Sequence, residues 1–203
     1  MFETMTRMGA SAAGTYEIEK SLRFDLSSDT FFTRTPSSSA DDQKQTYSFW
    51  CKRNVVDEYH YVFSAWNGTN VDRIGFTYDG QFFVEFKDGG ATEAEWHSHN
   101  KHEDPSAWYH CVVAIDTTLA TENHRFRVYI NGVEITDWDL DNDVSQNYEL
   151  KGFGQSGKYH VMGAIAMSAS SHQNNFNGYV AEFHFIDGAQ KLPTDFGKTD
   201  PDT

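Results

Sequence analysis

Residues 176–197 read FNGYVAEFHFIDGAQKLPTDFG. From Tyr179 to Ile186 side chains alternate, and Asp187-Gly188 breaks the run. A period of two belongs to a β-strand, whose successive side chains point to opposite faces. It predicts Tyr179, Ala181, Phe183 and Phe185 on one face, with Val180, Glu182, His184 and Ile186 on the other. What a strand this aromatic completes, so near the end of the sequence, sets the question for the rest of the chain.

Working back, the punctuation is turn chemistry. RFRVYINGVEIT (125–136) is two alternating runs joined by Asn131-Gly132, a hairpin signal because a type I′ turn needs positive φ at both central residues. IGFTYDGQFFVEF (74–86) repeats the design with Asp79-Gly80, and YVFSAWNGTN (61–70) ends a strand at Asn67-Gly68. SLRF (21–24), TFFTR (30–34), TYSFWCKR (46–53), WYHCVVAID (108–116) and YHVMGAI (159–165) are further strands. No window carries a helical stripe. Roughly ten to twelve short strands between turns predict an all-β, two-sheet antiparallel sandwich or jelly roll, because one sheet alone cannot bury both faces. TPSSSADDQKQ (35–45) and DLDNDVSQNYELKGFGQSG (139–157) read as surface loops, without repeats or an interdomain linker.

At 203 residues the chain suits one domain that buries about 70% of its unfolded surface. Sixteen Lys and Arg against thirty Asp and Glu give a net charge of −14 and no basic run, which argues against nucleic acid and anionic membranes as partners. No apolar run approaches a membrane span, so membrane insertion is not expected. The start, MFETMTRMGASAAGT, lacks the basic and apolar regions of a secretion signal, so export by that route is not expected. Cys51 and Cys111 lie inside apolar strands and read as buried thiols of a reduced compartment; a disulfide is the other reading.

The ordered set YEIEKSLRF, FFTRTP, YSFWCKR, WYHCVVAID, VYINGVEI, HVMGAI, FNGYVAEFHFIDG and LPTDFG resembles concanavalin A-like lectin/glucanase domains of the laminin-G and pentraxin type. It is most similar to versions carried in virion proteins of tailed bacteriophages, over about residues 15–197. The resemblance implies that the late aromatic strand returns beside an early one and closes a sheet. The same fold serves lectins, glucanases and structural modules, so function has to come from the residues.

Glucanases of this superfamily share an E-x-D-x-x-E strand, and retaining hydrolysis needs two carboxyl groups about 5–5.5 Å apart. The motif does not occur; the nearest pattern, Glu93-Ala94-Glu95, has no third acid. The reading is therefore non-enzymatic. In DWDLDND, the acids Asp137, Asp139, Asp141 and Asp143 alternate and would share one strand face. Laminin-G and pentraxin domains often hold calcium, which makes Asp139, Asp141 and Asp143 candidate ligands; a solvated acidic loop is the other reading. No other cofactor is expected. EWHSHNKHED gathers His97, His99 and His102 with no second cluster to complete a zinc site, and reads as a polar loop.

Trp50 and Trp108 are expected in the core. Trp66, Trp96 and Trp138 sit near loops, and with His97 and His99 they form a candidate glycan site, since a sugar ring needs a flat aromatic face beside hydrogen-bonding groups. The other reading is that these rings cap the sandwich ends. Phe2, Met5 and Met8 recur every three residues ahead of GASAAGT and are candidate partner-docking anchors; a frayed terminus is the other reading.

These readings give an N-terminal arm (1–15), a concanavalin A-like sandwich (16–197) and a C-terminal tail (198–203). The expected function is a non-enzymatic bacteriophage surface protein, either a capsid decoration or a tail appendage. It would be made in the host cytoplasm, present as an oligomer or in several copies beside other virion subunits, and able to bind glycans. The alternative is a secreted glycan-binding module or glycoside hydrolase of the same superfamily.

Overall fold

The computed structural model describes residues 20–26, 29–69, 71–173 and 175–197. The proposed anchors Phe2, Met5 and Met8, the whole arm and the tail lie outside the described residues. In chain order the strands are β1 (Leu22–Phe24), β2 (Phe32–Arg34), β3 (Lys44–Arg53), β4 (His60–Trp66), β5 (Val71–Phe76), β6 (Gln81–Asp88), β7 (Ala91–Lys101) and β8 (Tyr109–Asp116). One helical turn, α1 (Glu122–Arg125), precedes β9 (Phe126–Ile130), β10 (Val133–Glu134), β11 (Trp138–Asn142), β12 (Tyr159–Met162), β13 (Ile165–Ala166), β14 (His172–Gln173) and β15 (Gly178–Asp187).

Two antiparallel sheets stack face to face: a six-stranded sheet ordered β1-β15-β3-β8-β9-β10 and a seven-stranded sheet ordered β11-β7-β6-β5-β4-β12-β2. The all-β sandwich read from the sequence is the observed architecture. Between the sheets lie Phe24, Phe49, Phe76, Phe86, Val113 and Phe153, each fully buried. Cys51 and Cys111 are free thiols within this core.

The late aromatic strand does return to an early one. β15 pairs with β3 and, on its other edge, with β1. Its two faces are not those of simple alternation. Ala181 opposes Trp50 and His184 opposes Ser48, so Glu182 and Phe183 share the single opposite position. Glu182 takes φ +48°, and this bulge inverts the face assignment partway along the strand. Val180 therefore opposes Cys51 in the core, Phe183 packs against the core, and Phe185 stacks on Tyr47 at 5.1 Å, while Tyr179 and Ala181 face outward.

The two Gly-containing hairpins also differ. Asn131 and Gly132 both have positive φ (51° and 80°), as a type I′ turn requires. Of Asp79 and Gly80, only Gly80 is positive, and that turn closes through Thr77 instead: its N–H donates to the Gln81 carbonyl and its hydroxyl accepts from the Gln81 N–H.

Three loop and core assignments need correction. Residues 95–101 are part of β7 rather than a polar loop, because β6 and β11 flank them and pair their backbone. Residues 139–157 do not simply cross the surface. They begin in β11, bury Leu150 and Phe153, and are tied down where the Gly152 and Phe153 N–H groups donate to the Asp72 carboxylate. That carboxylate also accepts from the Lys87 N–H; burial nevertheless pushes its pKa up to about 7. Trp50 and Trp108 are not core residues: both lie on the outward side, Trp50 stacked on His110 at 4.8 Å and Trp108 on the surface.

Candidate functional site

The outer face of the seven-stranded sheet, away from the core, carries two cross-strand rows. In the first, Tyr61 on β4, Gly75 on β5, Phe83 on β6 and His97 on β7 lie directly opposite one another. In the second, Ser64, Arg73, Glu85 and Glu95 do the same. Gly75 is required at its place: a Cβ there would lie 2.1 Å from the His60 carbonyl oxygen and 3.2 Å from the Phe83 ring. Without a side chain between them, Tyr61 and Phe83 meet edge to face at 5.9 Å.

The aromatic row supports an exposed platform at the sheet end where β4 begins and β5 turns into β6. Tyr59, 45% exposed, stacks nearly parallel on Tyr61 at 6.2 Å and meets Phe83 edge-on. Tyr78, 60% exposed, leans against Tyr59 at 5.7 Å. Two solvent-facing rings thus rest on a buried aromatic base. The chain covers the opposite part of the face with the segment around β13 and β14. Ile165 packs on Tyr61 and Phe83, and Ser64 pins the segment by donating to the Ala164 carbonyl and accepting from the Ala166 N–H.

The charged row is internally neutralised. Arg73 donates through Nε to Glu85, and Lys87 reaches the other Glu85 oxygen at 2.8 Å. Burial is the largest influence and opposes the Arg73 charge, but the hydrogen bond and charge of Glu85, with smaller help from Tyr61 and Glu95, together raise its pKa. The guanidinium lies 5.8 Å from both the Tyr61 and Phe83 ring centres, which joins the two rows. Glu95 pairs with His97 at 3.0 Å. At the platform, Lys101 pairs with Asp79 at 3.1 Å.

The residues expected from the sequence divide between this face and the interior. His97 and His99 are on it. Trp96 is not: it is 1% exposed, its indole stacks on Phe126 at 3.5 Å, and its Nε1 donates to Asp143. Strand alternation turns its ring inward while its histidine neighbours turn out, so it cannot meet a sugar. Trp138 likewise packs against the core beside Phe126. Trp66 is half covered by the segment carrying Ala164 and Ala166. The platform residues Tyr59 and Tyr78 were missed; the available signal was Tyr-x-Tyr entering β4 and a Tyr inside the TYDG turn.

The calcium reading is also corrected. A register shift between Trp138 and Leu140 breaks the alternation that would have aligned the aspartates. Asp139 turns to His99, 2.5 Å away, and accepts from Gln81; the pairing raises the His99 pKa. Asp141 stays beside Asp143, and burial followed by that neighbouring charge raises its pKa. Among the described residues no group of three His, Cys, Asp or Glu side chains could hold a metal ion.

A second concavity of about 520 Å³ opens between the sheet edges at β2 and β15, lined by Phe32, Arg34, Met162, Phe183 and Phe185. Two of its polar groups are already committed. His160 accepts from the Gly154 N–H at 2.9 Å and faces the Lys158 carbonyl, and Asp187 accepts from the Asp41 N–H.

Residues 27–191 match the Laminin_G_3 family model of the concanavalin A-like lectin/glucanases superfamily, and the chain belongs to that family. Among solved structures it is similar to a native heptameric SAP-like pentraxin from Limulus polyphemus: TM-score 0.58, 16% identity, 83% of this chain and 76% of that one. The Ruminococcus gnavus IT-sialidase CBM40 aligns with TM-score 0.53 and 14% identity over 83% of this chain and 97% of its own. NanB sialidase from Streptococcus pneumoniae (K499G mutant) aligns with TM-score 0.54 and 14% identity over 89% of this chain and 27% of its own. These likenesses show a lectin-like fold. No curated protein sequence gives a significant match.

Proposed function

We propose that this chain is a non-catalytic glycan-binding module whose sugar platform is formed by Tyr59 and Tyr78. The observation that carries the reading is the pair of exposed rings propped on Tyr61 and Phe83, with polar groups along one side. A pyranose stacks its C–H face on such rings and directs hydroxyls to the neighbouring carboxylates. The cations of this face, Arg73, Lys87 and Lys101, already have carboxylate partners. The platform therefore favours neutral sugars over acidic ones. The sialidase CBM40 structure with α2,3 sialyllactose, TM-score 0.54 to this chain, supports the general class while its ligand differs in charge.

Glu85 and Glu95, opposed across β6 and β7, are the acid pair of this face. Glu85 is 2% exposed with both oxygens engaged by Arg73 and Lys87, which supports binding over hydrolysis. A glycan array should therefore show binding to neutral glycans that Tyr78→Ala weakens. No binding, or reducing-sugar release abolished by Glu95→Gln, overturns the reading.

The resemblance of the sequence motifs to tailed-phage virion proteins supports a finer reading. The module would be made in the host cytoplasm and displayed in several copies on a bacteriophage particle beside other virion subunits, as a capsid decoration or tail appendage. Phe2, Met5 and Met8 would be its docking anchors. Electron microscopy and protein quantification of such particles test this. Hundreds of copies indicate the capsid and a few the tail; absence from purified particles contradicts the proposal.

A further inference from the structure

β3 ends inside the core at Arg53, which is 1% exposed. Its guanidinium lies over the Phe76 ring, 4.4 Å from the centre, and Nη2 donates to the His102 carbonyl. Its Nε and Nη1 are buried and reach no protein acceptor. The His102 Nε2 is likewise buried without a hydrogen-bond partner, while the fully buried His60 ring bonds to the Val55 backbone. Three orphaned nitrogens of two neighbouring side chains are thus collected at one end of the core.

The charge balance is as unusual as the hydrogen bonding. A buried arginine is ordinarily paired with a carboxylate, because an uncompensated buried charge is strongly destabilising. Here burial lowers the Arg53 pKa, opposed by Cys51, Tyr109, Cys111 and, last, Glu103. Cys111 supplies no counter-charge, since burial holds its thiol well above the ordinary range. The histidines do not add charge either: burial and Arg53 bring both to about 4, leaving neutral rings that each carry one N–H donor. The group is therefore one full positive charge beside two neutral rings, with no negative group bonded to it. A water molecule can accept a hydrogen bond there but cannot balance the charge.

We infer that this end of the core binds a small monovalent anion, chloride in ordinary solution, between the Arg53 guanidinium and the His102 ring. The site is separate from the sugar platform and does not depend on it.

The test uses the full chain at fixed ionic strength and neutral pH, with chloride exchanged for gluconate. Binding only to the folded state raises Tm with ligand concentration, so a saturable rise of roughly 5 °C by about 200 mM chloride is expected, with bromide substituting for it. Crystals soaked in bromide should show an anomalous peak beside Arg53. Arg53→Met should remove both the chloride response and the peak. If that variant does not fold, His102→Ala should weaken the chloride response severalfold. A Tm identical in chloride and gluconate, or bromide-soaked crystals without a peak at Arg53, overturns the inference.

Discussion

The two outer faces of this sandwich are built by the same alternation and finished differently. On the six-stranded sheet, Val112, Ala114 and Tyr129 point outward and are covered by the chain's own last described segment, with Phe196 packed on them. Thr46 donates to the Ala189 carbonyl and accepts from the Lys191 N–H, and Gln190 donates to the carbonyls of Ala114 and His124, so the cover is stitched down. On the seven-stranded sheet the cover stops at β13 and β14, leaving Tyr59 and Tyr78 in solvent and the charged row neutralised by its own pairs. Where the surface is apolar the protein closes it. Around Tyr59 and Tyr78, where it is aromatic and polar, it stays open.

The comparison breaks most severely if Trp96 belongs to the open face after all. As a core residue stacked on Phe126, its replacement by Ala should cost about 3–5 kcal/mol in urea unfolding. A loss below about 1 kcal/mol would return Trp96 to the surface.

A second test uses acid. Burial and Arg53 hold the His60 and His102 pKa values at about 4, below the ordinary 6.5, so the folded state favours the neutral rings. Their contribution to stability is present above about pH 6.5 and is lost as pH falls towards 4. Asp72 works in the opposite sense: burial raises it to about 7, and its contribution is present at low pH and lost as pH rises through 7. Thermal melts between pH 4 and 7 should therefore show an acid decline that becomes shallower in His60→Gln and steeper in Asp72→Asn. Unchanged slopes in both variants would remove this account of the core.

Phe196→Ala should uncover the closed face at a cost of about 1–2 kcal/mol, with glycan binding unchanged. If binding changes with it, the two faces are coupled and the contrast between them fails.

Much of the fold was legible because its signals are local. Asn131-Gly132 needs only its own two residues to specify a turn, and the alternation of β3, β8 and β15 predicts strands from neighbours alone. The register is not local. The bulge at Glu182 uses no glycine and leaves no sequence mark, yet it exchanges the two faces of β15. The shift near Trp138 likewise separates aspartates that alternate perfectly in sequence. The site suffered most. Tyrosines 59 and 78 and the acids 85 and 95 come together only through pairing across four strands, whereas Trp96, the most conspicuous aromatic beside the histidines, faces inward.

The central claim is that the open face binds sugar through Tyr59 and Tyr78. Calorimetric titration of the best neutral glycan from an array, against the wild-type chain, Tyr78→Ala and Trp108→Ala, tests it most directly. Trp108 is an exposed ring on the other sheet's side and serves as the control. Loss of one stacking ring, worth about 0.5–1.5 kcal/mol, should weaken binding roughly two- to twelvefold in Tyr78→Ala and leave Trp108→Ala at the wild-type Kd. Weakening in Trp108→Ala with Tyr78→Ala unchanged would place the sugar on the wrong sheet and contradict the account.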